Sequence, residues 1–138
     1  MKTPHISIYK TVILAFCTVL AVAGCSDDQP VLPGVQPEVI NNTDTFEFQV
    51  SSVVNYTGVW QYDWTTTGTI VDVDQSCAIT GGTVTLRILD SDGVEVYSRN
   101  LTEGGSFTTE AGATGQWNLE VTLVEGSGTL NFRTEKNQ

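Results

Sequence analysis

Two pairs of carboxylates stand closest to chemistry in this sequence. Asp72 and Asp74 lie two apart, and Asp90 and Asp92 bracket Ser91 just ahead of Gly93. In an extended strand a spacing of two puts both side chains on one face. Oxygen ligands held together suit calcium, which takes about six to eight of them, so calcium is the sharper reading of these four aspartates and no cofactor at all is the plainer one. Humbler uses compete: aspartate caps turns through its own backbone, and a solvent-facing strand carries charge freely. Paired carboxylates also cleave glycosidic bonds, but so short a chain leaves little room for a cleft, which disfavours a small carboxylate-dependent hydrolase. Trp60, Tyr62 and Trp64 are the densest aromatic group. As a surface they would be a flat ligand-binding platform for sugar rings or peptide. As core they are the apolar side of one strand, and this reading is favoured because a large exposed aromatic stripe is costly.

Other chemistries fail for want of residue types. The only histidine is His5, and the only lysine after Lys10 is Lys136. Beyond the amino-terminal segment there is no imidazole for a Ser-His-Asp or Cys-His mechanism, nor for a zinc site of the usual composition. No glycine-rich loop precedes a helical pattern, so a phosphate cradle is missing too.

The amino terminus has its own logic. Lys2 and Lys10 make a positive start, and the 13 residues Thr11–Ala23 carry no charge. That run is well short of the roughly 20 residues that span a bilayer as a helix, and with the small pair Ala23-Gly24 it has the layout of a secretory signal peptide. Val22-Ala23-Gly24-Cys25 resembles the lipobox of bacterial lipoproteins. The resemblance implies cleavage before Cys25 and lipid attachment, palmitate included, to its thiol; two or three acyl chains bind a membrane far more firmly than one. Ser26, rather than an aspartate, follows the cysteine, and Ser26-Asp27-Asp28 is similar to an acidic surface-export signal of one Gram-negative group. Both imply the bacterial outer membrane, with the domain facing the periplasm or the cell surface.

Removing Lys2 and Lys10 from the 6 basic residues leaves 4 against 16 acidic, a formal charge near −12. Such a surface repels nucleic acid and anionic membrane. With Cys17 lost and Cys25 acylated, only Cys77 remains, so no internal disulfide forms and the core must suffice. Residues 1–24 are therefore the lipoprotein signal peptide. Residues 25–43, with Pro30, Pro33 and Pro37, are the lipidated cysteine and a Pro-rich tether. Residues 44–138 are the folded domain.

That domain alternates with period two. Phe46, Phe48 and Val50; Trp60, Tyr62 and Trp64; Val71 and Val73; Val84, Leu86 and Ile88; Val94 and Val96; Trp117, Leu119, Val121 and Leu123; and Leu130 and Phe132 each alternate with polar residues. These are strands with one buried and one wet face. Turns are expected at Asp90–Gly93, Gly81-Gly82, Gly104-Gly105 and Gly126–Gly128. No apolar residues recur at three and four, so no helix is expected in the mature domain. The fold class is all-β: an antiparallel β-sandwich, jelly-roll-like, of about seven to nine strands. The run Val84–Tyr97 with its Asp90-Ser91-Asp92-Gly93 turn, followed by Gly115-Gln116-Trp117-Asn118-Leu119-Glu120-Val121 and Gly128–Phe132, resembles jelly-roll accessory domains of the pre-peptidase C-terminal type. These are non-catalytic appendages of secreted enzymes, some with structural calcium or a ligand face, although no enzyme accompanies this chain.

The functional expectation is a membrane-anchored cell-envelope lipoprotein carrying a non-enzymatic binding or structural module. Its partners would be the membrane, through lipid, and a glycan or envelope protein, with no nucleic acid. The alternative is a calcium-stabilised adhesion or enzyme-accessory domain.

Overall fold

The alternating side chains do define strands, but two of those strands are far longer than the sequence runs suggest. The computed structural model describes residues 35–138. Seven strands run antiparallel: β1 Glu38–Asn42, β2 Thr45–Thr66, β3 Val71–Gln75, β4 Ala78–Leu89, β5 Glu95–Asn100, β6 Gly105–Thr108 and β7 Gly115–Lys136. There is no helix among the described residues.

β2 and β7 are each 22 residues long and pair along their length. Drawn straight, Phe46 and Tyr62 on β2 would lie about 50 Å apart, yet their rings meet at 5.6 Å. The β2–β7 ribbon therefore folds over on itself at mid-length. Its register slips at Val50/Val53, Val53/Tyr56 and Tyr56/Gly58, while Ser52, Asn55 and Glu125 take positive φ. Bulges of this kind sharpen twist and bend. One half of the folded sheet runs β1–β2–β7–β3–β6; the other half sets the remaining lengths of β2 and β7 beside β4 and β5. The pairings nest, β4 with β5, β3 with β6 and β2 with β7, as in one long hairpin rolled up. The architecture is thus an antiparallel β-sandwich of jelly-roll-like order made from a single sheet.

Aromatic side chains fill the space between the halves. Phe48 packs on Trp60 at 5.7 Å and stacks on Phe132 at 5.0 Å. Trp64 and Trp117 are cross-strand partners meeting edge to face at 6.2 Å. Their indole N–H groups donate to the carbonyls of Asn42 and Ala113 at 2.8 and 2.6 Å, so both rings are buried without an orphaned donor. One flank is tied shut. Glu110 N donates to Val96 O, and Gln75, itself buried, takes the Tyr97 hydroxyl at 2.6 Å and donates to Glu103 O at 2.7 Å.

Several sequence expectations change. Gly81-Gly82 and Gly126–Gly128 are not turns; they lie inside β4 and β7, opposite each other at the bend. Runs 46–50 and 59–65 belong to one strand, as do 117–123 and 130–133. β1 falls within the span read as tether, so the folded part begins before residue 44. A slip at Ile88/Leu89 shifts the parity of β5, leaving Val94 57% exposed and burying Tyr97 beside Val96. Asp90–Gly93 is a connection as expected, with Gly93 at φ +78°, and of the pair Gly104-Gly105 the first lies in a connection and the second opens β6.

Candidate functional site

Outward-facing residues of β2, β7, β4 and β5 form a largely polar surface. Its register sets Gln61 beside Glu120, Glu120 beside Arg87 and Arg87 beside Ser98, with Asp63 next to Asn118 in the adjoining row. Arg87 sits at the centre. Its Nε donates to Glu95 at 2.6 Å and its Nη1 to Glu120 at 3.0 Å, while Gln61 Nε2 reaches Glu120 at 2.6 Å. Asn118 Nδ2 donates to Asp63 at 3.0 Å. The hydrogen bonds to Glu95 and then Glu120 hold the guanidinium even more firmly ionised than usual. Arg87 and Glu95 are 44% and 48% exposed, so these ion pairs add little stability. What the array offers is a planar set of donors and acceptors able to meet a polar, hydroxyl-rich partner.

The four aspartates fall in two places. Asp72 and Asp74 share the outer face of β3, as a spacing of two requires, opposite Thr108 and Ser106 of β6. Thr108 and Asn137 donate to Asp72 at 3.1 and 2.9 Å, and the Ser106 hydroxyl donates to Asp74. Asp90 instead anchors its loop. Its carboxylate accepts from the backbone N–H groups of Asp92 (3.0 Å), Val94 (2.8 Å) and Ala113 (2.8 Å). These bonds, Ala113 first and Val94 next, hold its pKa below the ordinary value of 3.8. Asp92 is exposed at the tip and supplies only its backbone N–H to Asp90. The turn chemistry accounts for this pair. Among the described residues no group of three or more His, Cys, Asp or Glu side chains converges on one point.

Of the two readings of the aromatic group, the favoured core reading holds at the two tryptophans and the ligand platform falls. Trp60 and Trp64 are each only 1% exposed. Burying them against Tyr56 and Trp117 removes both faces of the stripe from any ligand. Tyr62 is half-buried between Phe46 and Phe48, and burial raises its pKa. Cys77 is also part-buried; its Sγ bonds to Asn131 N and O at 3.2 Å, and burial pushes the thiol pKa up. It is a packing residue rather than a nucleophile. Cys25 lies outside the described residues.

Sequence reasoning passed over Asp44, the corner on which three strand ends meet. At φ +68° its N donates to Thr65 O and its carbonyl accepts from Lys136 N, both at 3.0 Å. Its carboxylate takes Thr67 N at 2.6 Å and the hydroxyls of Thr66 and Thr67. The Asn42-Thr43-Asp44 turn chemistry was the available signal. Strand β1 was also missed; the pair Val39-Ile40 between Pro37 and that turn was its only mark. No protein-family model matches this chain, and a search of curated proteins finds no match either.

Proposed function

We propose that this chain is a lipid-anchored, non-enzymatic module of a bacterial cell envelope that works by presenting surfaces. Val22-Ala23-Gly24-Cys25, after an uncharged run, supplies the anchor, and the outer membrane is the destination that Ser26 favours. The observation that carries the module reading is how the domain spends its residues. The interior between the sheet halves is filled by Trp60, Trp64, Trp117, Phe46, Phe48 and Phe132. Asp44 and Asp90, its most heavily hydrogen-bonded carboxylates, are committed to the domain's own backbone. What remains for a partner is outside: the polar face around Arg87 and the β1 edge, which among the described residues pairs only with β2. A glycan or an envelope protein fits such a face better than a small molecule, which wants a concave site. The five-residue strand Glu38–Asn42 begins 13 positions after Cys25, so a short tether would join the domain to the membrane.

Cell fractionation tests the anchor. The wild-type chain is expected in the outer-membrane fraction and the Cys25→Ser chain in the soluble fraction. Equal distribution of the two would remove the lipid from the proposal.

A further inference from the structure

We infer that β1 is a pairing edge, and that its occupant is the β1 of a second copy of this chain running antiparallel. Among the described residues β1 pairs only with β2, in the unbroken register Glu38↔Gln49 to Asn42↔Thr45. Asn42 and Thr45 are paired across a two-residue turn, a position where hairpin residues exchange both backbone hydrogen bonds. The antiparallel alternation then turns Ile40 and Glu38 towards β2 as well, and points the N–H and C=O groups of Val39 and Asn41 outward.

Edge strands that must stay single are guarded by short length, charge (lysine above all), proline, a bulge or an inward charge; the one charge in this five-residue strand, Glu38, lies at its end. Glu38–Asn42 has no lysine, proline or bulge, and all five residues are exposed, with Ile40 at 53% and Val39 at 36%. Pro37 precedes the strand and has no N–H to give. It ends any added ladder there and limits it to these five residues.

The sequence selects the partner because it is self-complementary in one register. Centred on Ile40, antiparallel pairing sets Ile40 against Ile40 of the second copy, Val39 against Asn41 and Glu38 against Asn42. No carboxylate then faces a carboxylate, and the outward groups of Val39 and Asn41 meet each other directly. A parallel arrangement would set Glu38 against Glu38, which costs energy. The layer β1–β2–β7–β3–β6 of each copy would thereby join into one continuous sheet. In this arrangement the two strands run in opposite directions, and their Glu38 ends are separated by about 14 Å. Val35 already packs against the core, and the 9 residues 26–34 between it and Cys25 can reach up to about 30 Å, so both copies can hold anchors in one membrane. The pairing goes beyond the anchoring proposal and does not depend on it: an unlipidated Cys25→Ser chain presents the same edge.

The test is disulfide trapping in the full chain with Cys77→Ala. Ile40→Cys, oxidised with copper phenanthroline in membranes or detergent, is expected to give a covalent dimer about tenfold more abundant than Val59→Cys, which sits on the opposite layer's outer face. The Cys77→Ala parent should give no covalent dimer on oxidation. Adding Val39→Pro, which removes an outward N–H and leaves the β1–β2 ladder whole, should cut the Ile40→Cys dimer about tenfold. Near-ultraviolet circular dichroism of the buried tryptophans checks that the proline chain is folded. Independently, Ile40→Lys, with its backbone unaltered, should shift the sedimentation profile of the otherwise wild-type chain from dimer to monomer. Equal trapping at 40 and 59, no trapping at 40, or trapping at 40 only to a different polypeptide would each overturn the inference.

Discussion

Single residues here act mainly on their own backbone. Asp44 and Asp90 hold corners by accepting backbone N–H groups, and both titrate below the ordinary 3.8, chiefly through Thr67 N–H for Asp44 and Ala113 N–H for Asp90. A carboxyl that ionises more readily folded than unfolded contributes its stability in full above the unfolded value, and loses it as pH falls through the folded one. The urea midpoint should therefore hold from neutral pH down to about pH 4 and fall below it. In Asp44→Ala and Asp90→Ala the neutral-pH midpoint should drop and the acid limb flatten; an acid limb as steep as wild type in both would contradict this. Thr134 is the opposite case. It is fully buried on β7 with a hydroxyl that finds no partner. Thr134→Val keeps the shape and removes the unsatisfied group, so it should raise stability by about 1 kcal/mol in urea titration. A loss of that size would mean that the hydroxyl is bonded after all.

At the scale of elements the fold turns on glycines at its bend. A Cβ at Gly82 would sit 2.2 Å from Glu125 O, and one at Gly128 would sit 2.2 Å from Ala78 O, with φ at +68° and +135°. Both contacts are backbone, so nothing yields cheaply. Gly82→Ala and Gly128→Ala should each destabilise by more than about 2 kcal/mol in equilibrium unfolding. Gly93→Ala, at φ +78° but in open space, should cost only about 1 kcal/mol. Equal costs at all three would remove the steric account of the bend. These glycines also mark where the sequence misleads. Alternation shows which residues are buried, because side-chain parity is local. It identified Phe46, Trp60, Val84, Leu119 and Phe132 without error. Whether a glycine pair ends a strand or bends it depends on what lies across the sheet, and Gly82 faces Glu125, some forty residues away. Tyr97 was misplaced for a like reason: one bulged residue flips everything after it. The Asp90 loop was legible because its bonds to Asp92 and Val94 span only two and four residues. The corner at Asp44 was not, since its partners Thr65 and Lys136 come from the far ends of β2 and β7.

The described part of the molecule is a solid sandwich whose two flanks are closed in different ways. The flank between β5 and β6 is joined through Glu110, Val96 and Gln75. On the other side β1 overhangs, touching the far half of β2 through Asn41 Nδ2 to Asp63 O at 2.8 Å. With Cys77 the only described cysteine and unbridged, no covalent staple supports this shape, so packing and the corner hydrogen bonds must hold it. The excess of carboxylates sets its long-range behaviour: it repels anionic surfaces, so the membrane location proposed above would rest on a covalent attachment. That attachment is the central claim, and its direct test is the intact mass of the protein extracted from its native envelope. The expected mass is that of a chain beginning at Cys25 and carrying a diacylglyceryl group, with or without a further acyl chain. An unacylated chain, whether cut elsewhere or still bearing residues 1–24, would contradict it.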